Sequence, residues 1–137
     1  MKKMINVSLY YAIAAMCGGV FYREYTKFRD FSGVTALGKL HTHLFLLGMV
    51  VFLIVALFAA NPALTGHKRF RQFFNIYNIG VPLMSVMLLV RGITQVEGMA
   101  LSSGASAAIS GIAGISHILT GIGIVLLLLA LRDTAKN

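Results

Sequence analysis

The sequence predicts an all-α fold, an integral membrane bundle of four helices. Three observations carry that expectation. First, 58% of the 137 residues are hydrophobic and only 12% charged, with a mean hydropathy of +0.82, whereas soluble domains are about 25% charged. Second, a chain this short has too little interior to hide so much apolar surface from water. Third, the apolar residues fall in four runs approaching the roughly 20 residues needed to cross a hydrocarbon core, over 5–22, 40–60, 74–90 and 107–131. The runs are continuous and do not alternate over about ten residues, as strands of a membrane barrel would. Backbone polar groups in lipid must be paired within their own segment, so each run is read as a helix. One transmembrane domain therefore covers 1–137.

Each element has its boundary signals. The first span follows Lys2-Lys3 and ends at Tyr22, before a polar stretch from Arg23 to Lys39 read as a loop. Lys2-Lys3, the apolar run and Ala14-Ala15-Met16-Cys17 together resemble a signal peptide with a lipoprotein-type cysteine. The run is long for such a peptide and Met16 is a poor residue before a cleavage site, so the segment is kept as a span. Asn61-Pro62 closes the second span, and Thr65-Gly66-His67-Lys68-Arg69 reads as a basic turn. Pro82 is expected to kink the third span. Arg91 to Ser106, rich in Ser, Gly and Ala, reads as the last loop.

The charge balance of +8 is spread in short clusters between apolar runs. No continuous basic stripe exists, so a lipid surface is the expected partner and nucleic acid is excluded. With the N-terminus inside, Lys2, Lys3, Lys68, Arg69, Arg71, Arg132 and Lys136 lie inside, and Arg23, Lys27, Arg29, Lys39 and Arg91 outside. Seven against five favours N-in and C-in at the cell membrane. The single cysteine excludes an intramolecular disulfide, and the absence of CxxCH excludes covalent c-type heme attachment.

Chemistry is expected from the histidines. His41, His43 and His117 lie within or at the edge of spans, where an ionisable group is costly and by default marks a function. The plain alternative is a neutral imidazole bonded to a neighbouring helix. At 1.5 Å per residue, His41 lies about 28 Å from the far end of its span, His43 about 25 Å and His117 about 21 Å. Both spans run the same way, so the depths agree within boundary error. Imidazoles at similar depth on two helices suit bis-histidine ligation of heme b. His41 and His43 project about 200° apart, so only one of them could hold a given iron. Gly48 shares the His41 face, while Gly114 and Gly121 flank His117. These glycines leave room either for a flat macrocycle or for close helix packing. Arg91, Arg23 and Lys39 border the same membrane face, as cations for heme propionates or as snorkelling anchors.

Leu40-His41-Thr42-His43-Leu44 resembles the second helix of the large subunit of heme-copper oxidases and nitric oxide reductases. His117-Ile118-Leu119-Thr120-Gly121-Ile122-Gly123 is similar to the helix bearing the other low-spin ligand. The resemblance implies His117 and His41 as axial ligands, with His43 in place of His41 in another register. It covers two helices. Neither the His-Pro-Glu motif nor a His-His pair is present, so the family's copper site is not carried over. The family's twelve helices form three groups of four, which implies a homotrimer here by analogy.

Bis-histidine ligation leaves no open position on the iron. The expected role is therefore electron transfer, with a quinone or redox protein as partner, or the sensing and handling of heme. Two other readings stand beside it. One is a heme-free transporter component or scaffold; the other is a carrier holding a metal ion on His41, His43 and His117. No nucleophile–base pair, carboxylate pair or phosphate loop is found, so the sequence offers nothing for hydrolysis.

Overall fold

The computed structural model describes residues 1–135 and is all-helical, with four helices long and apolar enough to cross a membrane. They are α1 (Lys2–Phe28), α2 (Leu37–Phe58), α4 (Lys68–Val96) and α5 (Ser103–Thr134). A single turn and a half, α3 (Pro62–Gly66), joins α2 to α4. Lys136, counted above among the inner cations, lies outside the described residues.

α1, α4 and α5 extend well beyond their apolar runs, while α2 is nearly the length of its run but starts three residues earlier and ends two earlier. The expected loop from Arg23 to Lys39 shrinks, because α1 continues to Phe28 and α2 begins at Leu37. The loop expected from Arg91 to Ser106 becomes a connection over 97–102, which leaves Arg91 inside a helix. Hydropathy marks where lipid contact ends, whereas a helix ends where its backbone is capped. Residues such as Arg23, Glu24 and Lys27 are good helix formers and carry α1 onward. The actual stop is Asp30 at φ 46°, where Asp30 N–H donates to the Lys27 carbonyl (3.2 Å) and Phe31 N–H to the Thr26 carbonyl (2.9 Å). Gly98 at φ 61° ends α4 in the same way, with Met99 N–H donating to the Thr94 carbonyl at 3.0 Å. At the starts, Asn61 Oδ1 accepts from Ala63 N–H (3.0 Å) ahead of Pro62, and Ser102 Oγ accepts from Ala105 N–H (3.2 Å). Pro82 lies inside an unbroken α4.

The middle of α2, Leu44–Val50, is wound as a π-helix. Two carbonyls there are taken up by neighbouring helices. Tyr77 Oη donates to the Leu47 carbonyl (2.8 Å) and Ser8 Oγ to the Met49 carbonyl (2.9 Å). Backbone freed by irregular winding must find partners nearby when no water is present.

Packing follows chain order: α1 on α2, α2 on α4, and α4 on α5. The core gathers towards the end that holds the termini, around the buried rings of Phe52, Phe73 and Tyr77, with centroids 5.3–5.9 Å apart. Tyr11 stacks on Phe52 at 5.7 Å. Glycine sets the close approaches. A Cβ on Gly80 would stand 2.8 Å from the Thr120 backbone nitrogen, and one on Gly123 would stand 2.8 Å from the Tyr77 ring. Gly48 belongs to this group. Its missing side chain is filled by the Tyr11 ring, so it serves helix packing and does not provide room beside His41.

Candidate functional site

The register of the helices sets the level of each histidine. Arg91 reaches Ser106 and Ser110, and Gly80 lies against Thr120, so His117 stands level with Leu83. Leu37 lies against Gly92, which puts His41 level with Leu88 and His43 level with Val86. At 1.5 Å per residue, His41 and His117 differ in height by about 8 Å, and His43 and His117 by about 5 Å.

Direction around the helix separates them. His117 is exposed on α5, and its Nδ1 lies 2.7 Å from the Ala113 carbonyl. A hydrogen bond from Nδ1–H to that carbonyl leaves the Nε2 lone pair free and holds the ring, as in the support given to ligating histidines. His43 has the same arrangement, with Nδ1 2.8 Å from the Lys39 carbonyl. His41 points instead at α1. It lies over Gly19 and is nearly parallel to the Tyr22 ring (centroids 6.5 Å, 14°), and its Nδ1 is buried without a partner.

His117 lines a groove of about 300 Å³ between α4 and α5, with Met84, Met87, Leu88, Arg91 and Ala113. Arg91 closes one end, its guanidinium donating to the Ser110 hydroxyl (2.7 Å), the Ser106 hydroxyl (3.3 Å) and the Ser106 carbonyl (3.2 Å). Gly114 lines the groove, and nothing lies within 4 Å of a Cβ built on Gly114 or Gly121, so this face is open.

The residues singled out in the sequence are thus only partly gathered. His117, Arg91 and Gly114 share one groove, with Gly121 a turn beyond. His41, His43, Arg23 and Lys39 do not line it. Arg23 is exposed, 3.9 Å from Glu24, and Lys39 is exposed at the start of α2. Among the described residues, no three His, Cys, Asp or Glu side chains come together as a metal-binding group, so the three histidines do not form one cluster.

Ser106 and Ser110 were not singled out in the sequence, although they lie 11 and 7 residues before His117, on its face of the helix. Also unanticipated is the link over the far end of α4. Glu97 accepts from Tyr25 Oη and pairs with Arg29 (2.8 Å), and the Gln95 side chain accepts from Ala36 N–H (2.7 Å). No spacing rule joins residues so distant in sequence.

The donor set at His117 fits one axial position of a heme: a held imidazole, an open face of small residues and a cation at the groove's end. The second position is not assembled beside it, because α2 contributes nothing to this groove. Residues 1–134 match the family described as protein of unknown function DUF2871, and the chain belongs to that family. No curated protein and no solved structure matches the chain.

Proposed function

We propose that this DUF2871 protein binds heme b noncovalently within the bilayer, with His117 as one axial ligand and His43 or His41 as the other. The observation that carries the reading is the His117 imidazole, tied through Nδ1 to Ala113 and exposed through its other edge on a face opened by Gly114 and Gly121. A heme held there would supply one-electron chemistry. Arg91 would hold a propionate bidentately at the mouth of the groove, as guanidinium does for carboxylates. Met84, Met87 and Leu88 would exclude water from the ligand.

Between the two α2 histidines, His43 is favoured by its matching Nδ1 bond and its closer level to His117. His41 is favoured by its unpartnered Nδ1. A homo-oligomer, a trimer by analogy, would bring α2 of one copy to α5 of the next and so complete the pair. With both ligands in place the role is electron transfer with a quinone or redox protein. With His117 alone it is heme sensing or transfer. The N-in, C-in topology at the cell membrane belongs to the same proposal.

Purification in detergent from heme-replete cells, followed by oxidised and reduced absorption spectra, tests the reading. Sharp reduced bands that vanish in His117→Ala support it, and His41→Ala against His43→Ala identifies the second ligand. Colourless protein would overturn it. Mass measurement in detergent checks the oligomer, and a monomer would remove the trimer.

A further inference from the structure

At the end opposite His41, His43 and His117, the first turns of α1 and α4 and the short helix α3 enclose an open groove of about 540 Å³. Four polar side chains face it, of which Thr65 is already bonded to the Pro62 carbonyl at 3.2 Å, leaving Lys3, Arg71 and Asn75. Lys3 lies with its ammonium 4.1 Å from the centre of the Phe74 ring. Arg71 and Asn75 are one turn apart on the same face of α4. None of the three makes an ion pair or a side-chain hydrogen bond among the described residues. Arg69, one turn before Phe73, is by contrast paired with Asp133. The remaining walls are apolar, formed by Met4, Phe70 and Phe74.

Asn75 is the unusual member. It is exposed, within a helix apolar enough to span a membrane and just beyond Phe74, where the apolar run begins. An amide there has little water to bond with, and an unsatisfied polar group in lipid is costly. Asn75 sits four residues, about 6 Å, further along α4 than Arg71. Cations at headgroup height, an amide donor one turn below and an apolar wall along the groove reproduce the layers of one molecule class.

The geometry points to a binding site for an anionic glycerophospholipid drawn from the bilayer. Its phosphate lies between Lys3 and Arg71, an ester carbonyl accepts from Asn75, and an acyl chain lies along Met4, Phe70 and Phe74. The basic pair, with Lys2 and Lys68 close by in sequence, selects a net-negative lipid, because a zwitterionic headgroup would bring a second cation against them. The site is independent of the heme reading.

Native mass spectrometry of the detergent-solubilised chain, offered equal amounts of phosphatidylglycerol and phosphatidylcholine, tests it. The expected result is preferential retention of phosphatidylglycerol. Retention should fall about fivefold for each of Lys3→Gln and Arg71→Gln. It should fall in Asn75→Leu without loss of folded protein, and stay unchanged in Arg23→Gln at the other end. Equal retention of the two lipids, or no loss in the Lys3→Gln, Arg71→Gln double variant, would overturn the proposal. So would full displacement of the lipid by inorganic phosphate, which would show that the phosphate alone is recognised.

Discussion

The two halves of α5 differ in how they are packed. From Ser116 onward, every third or fourth residue is buried: Ser116, Thr120, Gly123, Leu127 and Ala130. Over 103–115 none is, and Arg91 supplies the side-chain hydrogen bonds that hold this half to α4. The packed half meets α4 at Gly80 and Tyr77, where backbones touch. The open half ends at Ile115, two residues before His117. A helix in lipid gains nothing from burying one apolar face over another unless the shapes interlock, so small residues are an asset only where a neighbour fills the space. Gly123 has such a neighbour, and Gly114 and Gly121 have none. The same residue type therefore builds the core on one face of α5 and leaves a surface for a ligand on another.

Substitutions on the two sides should part sharply. Gly80→Leu should have the largest effect. Its side chain must displace the Thr120 backbone, and loss of monodisperse protein in detergent is the expected outcome. Phe52→Ala empties a fully buried ring position and should cost about 3 kcal/mol in denaturant unfolding from mixed micelles. Arg91→Met removes the tether of the open half. Faster hydrogen exchange over 103–115, with 116–134 unchanged, would sharpen the contrast, and uniform loosening of α5 would break it. Tyr77→Phe deletes the bond to the Leu47 carbonyl and should cost about 1 kcal/mol by the same unfolding assay. Gly114→Ala should have the smallest effect and the opposite sign, a gain of up to about 1 kcal/mol from helix propensity, because nothing crowds the added methyl. If heme occupies that face, the same substitution weakens its retention.

Much of the fold was legible in advance. The four spans follow from apolar run length, whereas Asn61-Pro62, read as the stop of the second span, instead starts α3, α2 having ended at Phe58. Helix ends were less legible, because Asp30 and Gly98 set them through backbone bonds that hydropathy does not register. The site was legible in part. Spacing alone put Gly114 on the His117 face and separated His41 from His43, but it could not tell that His41 turns towards Tyr22 while His117 turns outward.

That division has one physical cause. A chain in water advertises its buried face by alternating apolar and polar residues, whereas here both faces of each helix are apolar, against lipid on one side and protein on the other. Sequence thus determined how many membrane-length helices there are and how long the apolar stretches run. Only tertiary packing decided which way each helix is turned. With that it decided that Gly48 receives a tyrosine while Gly114 stands open beside a histidine.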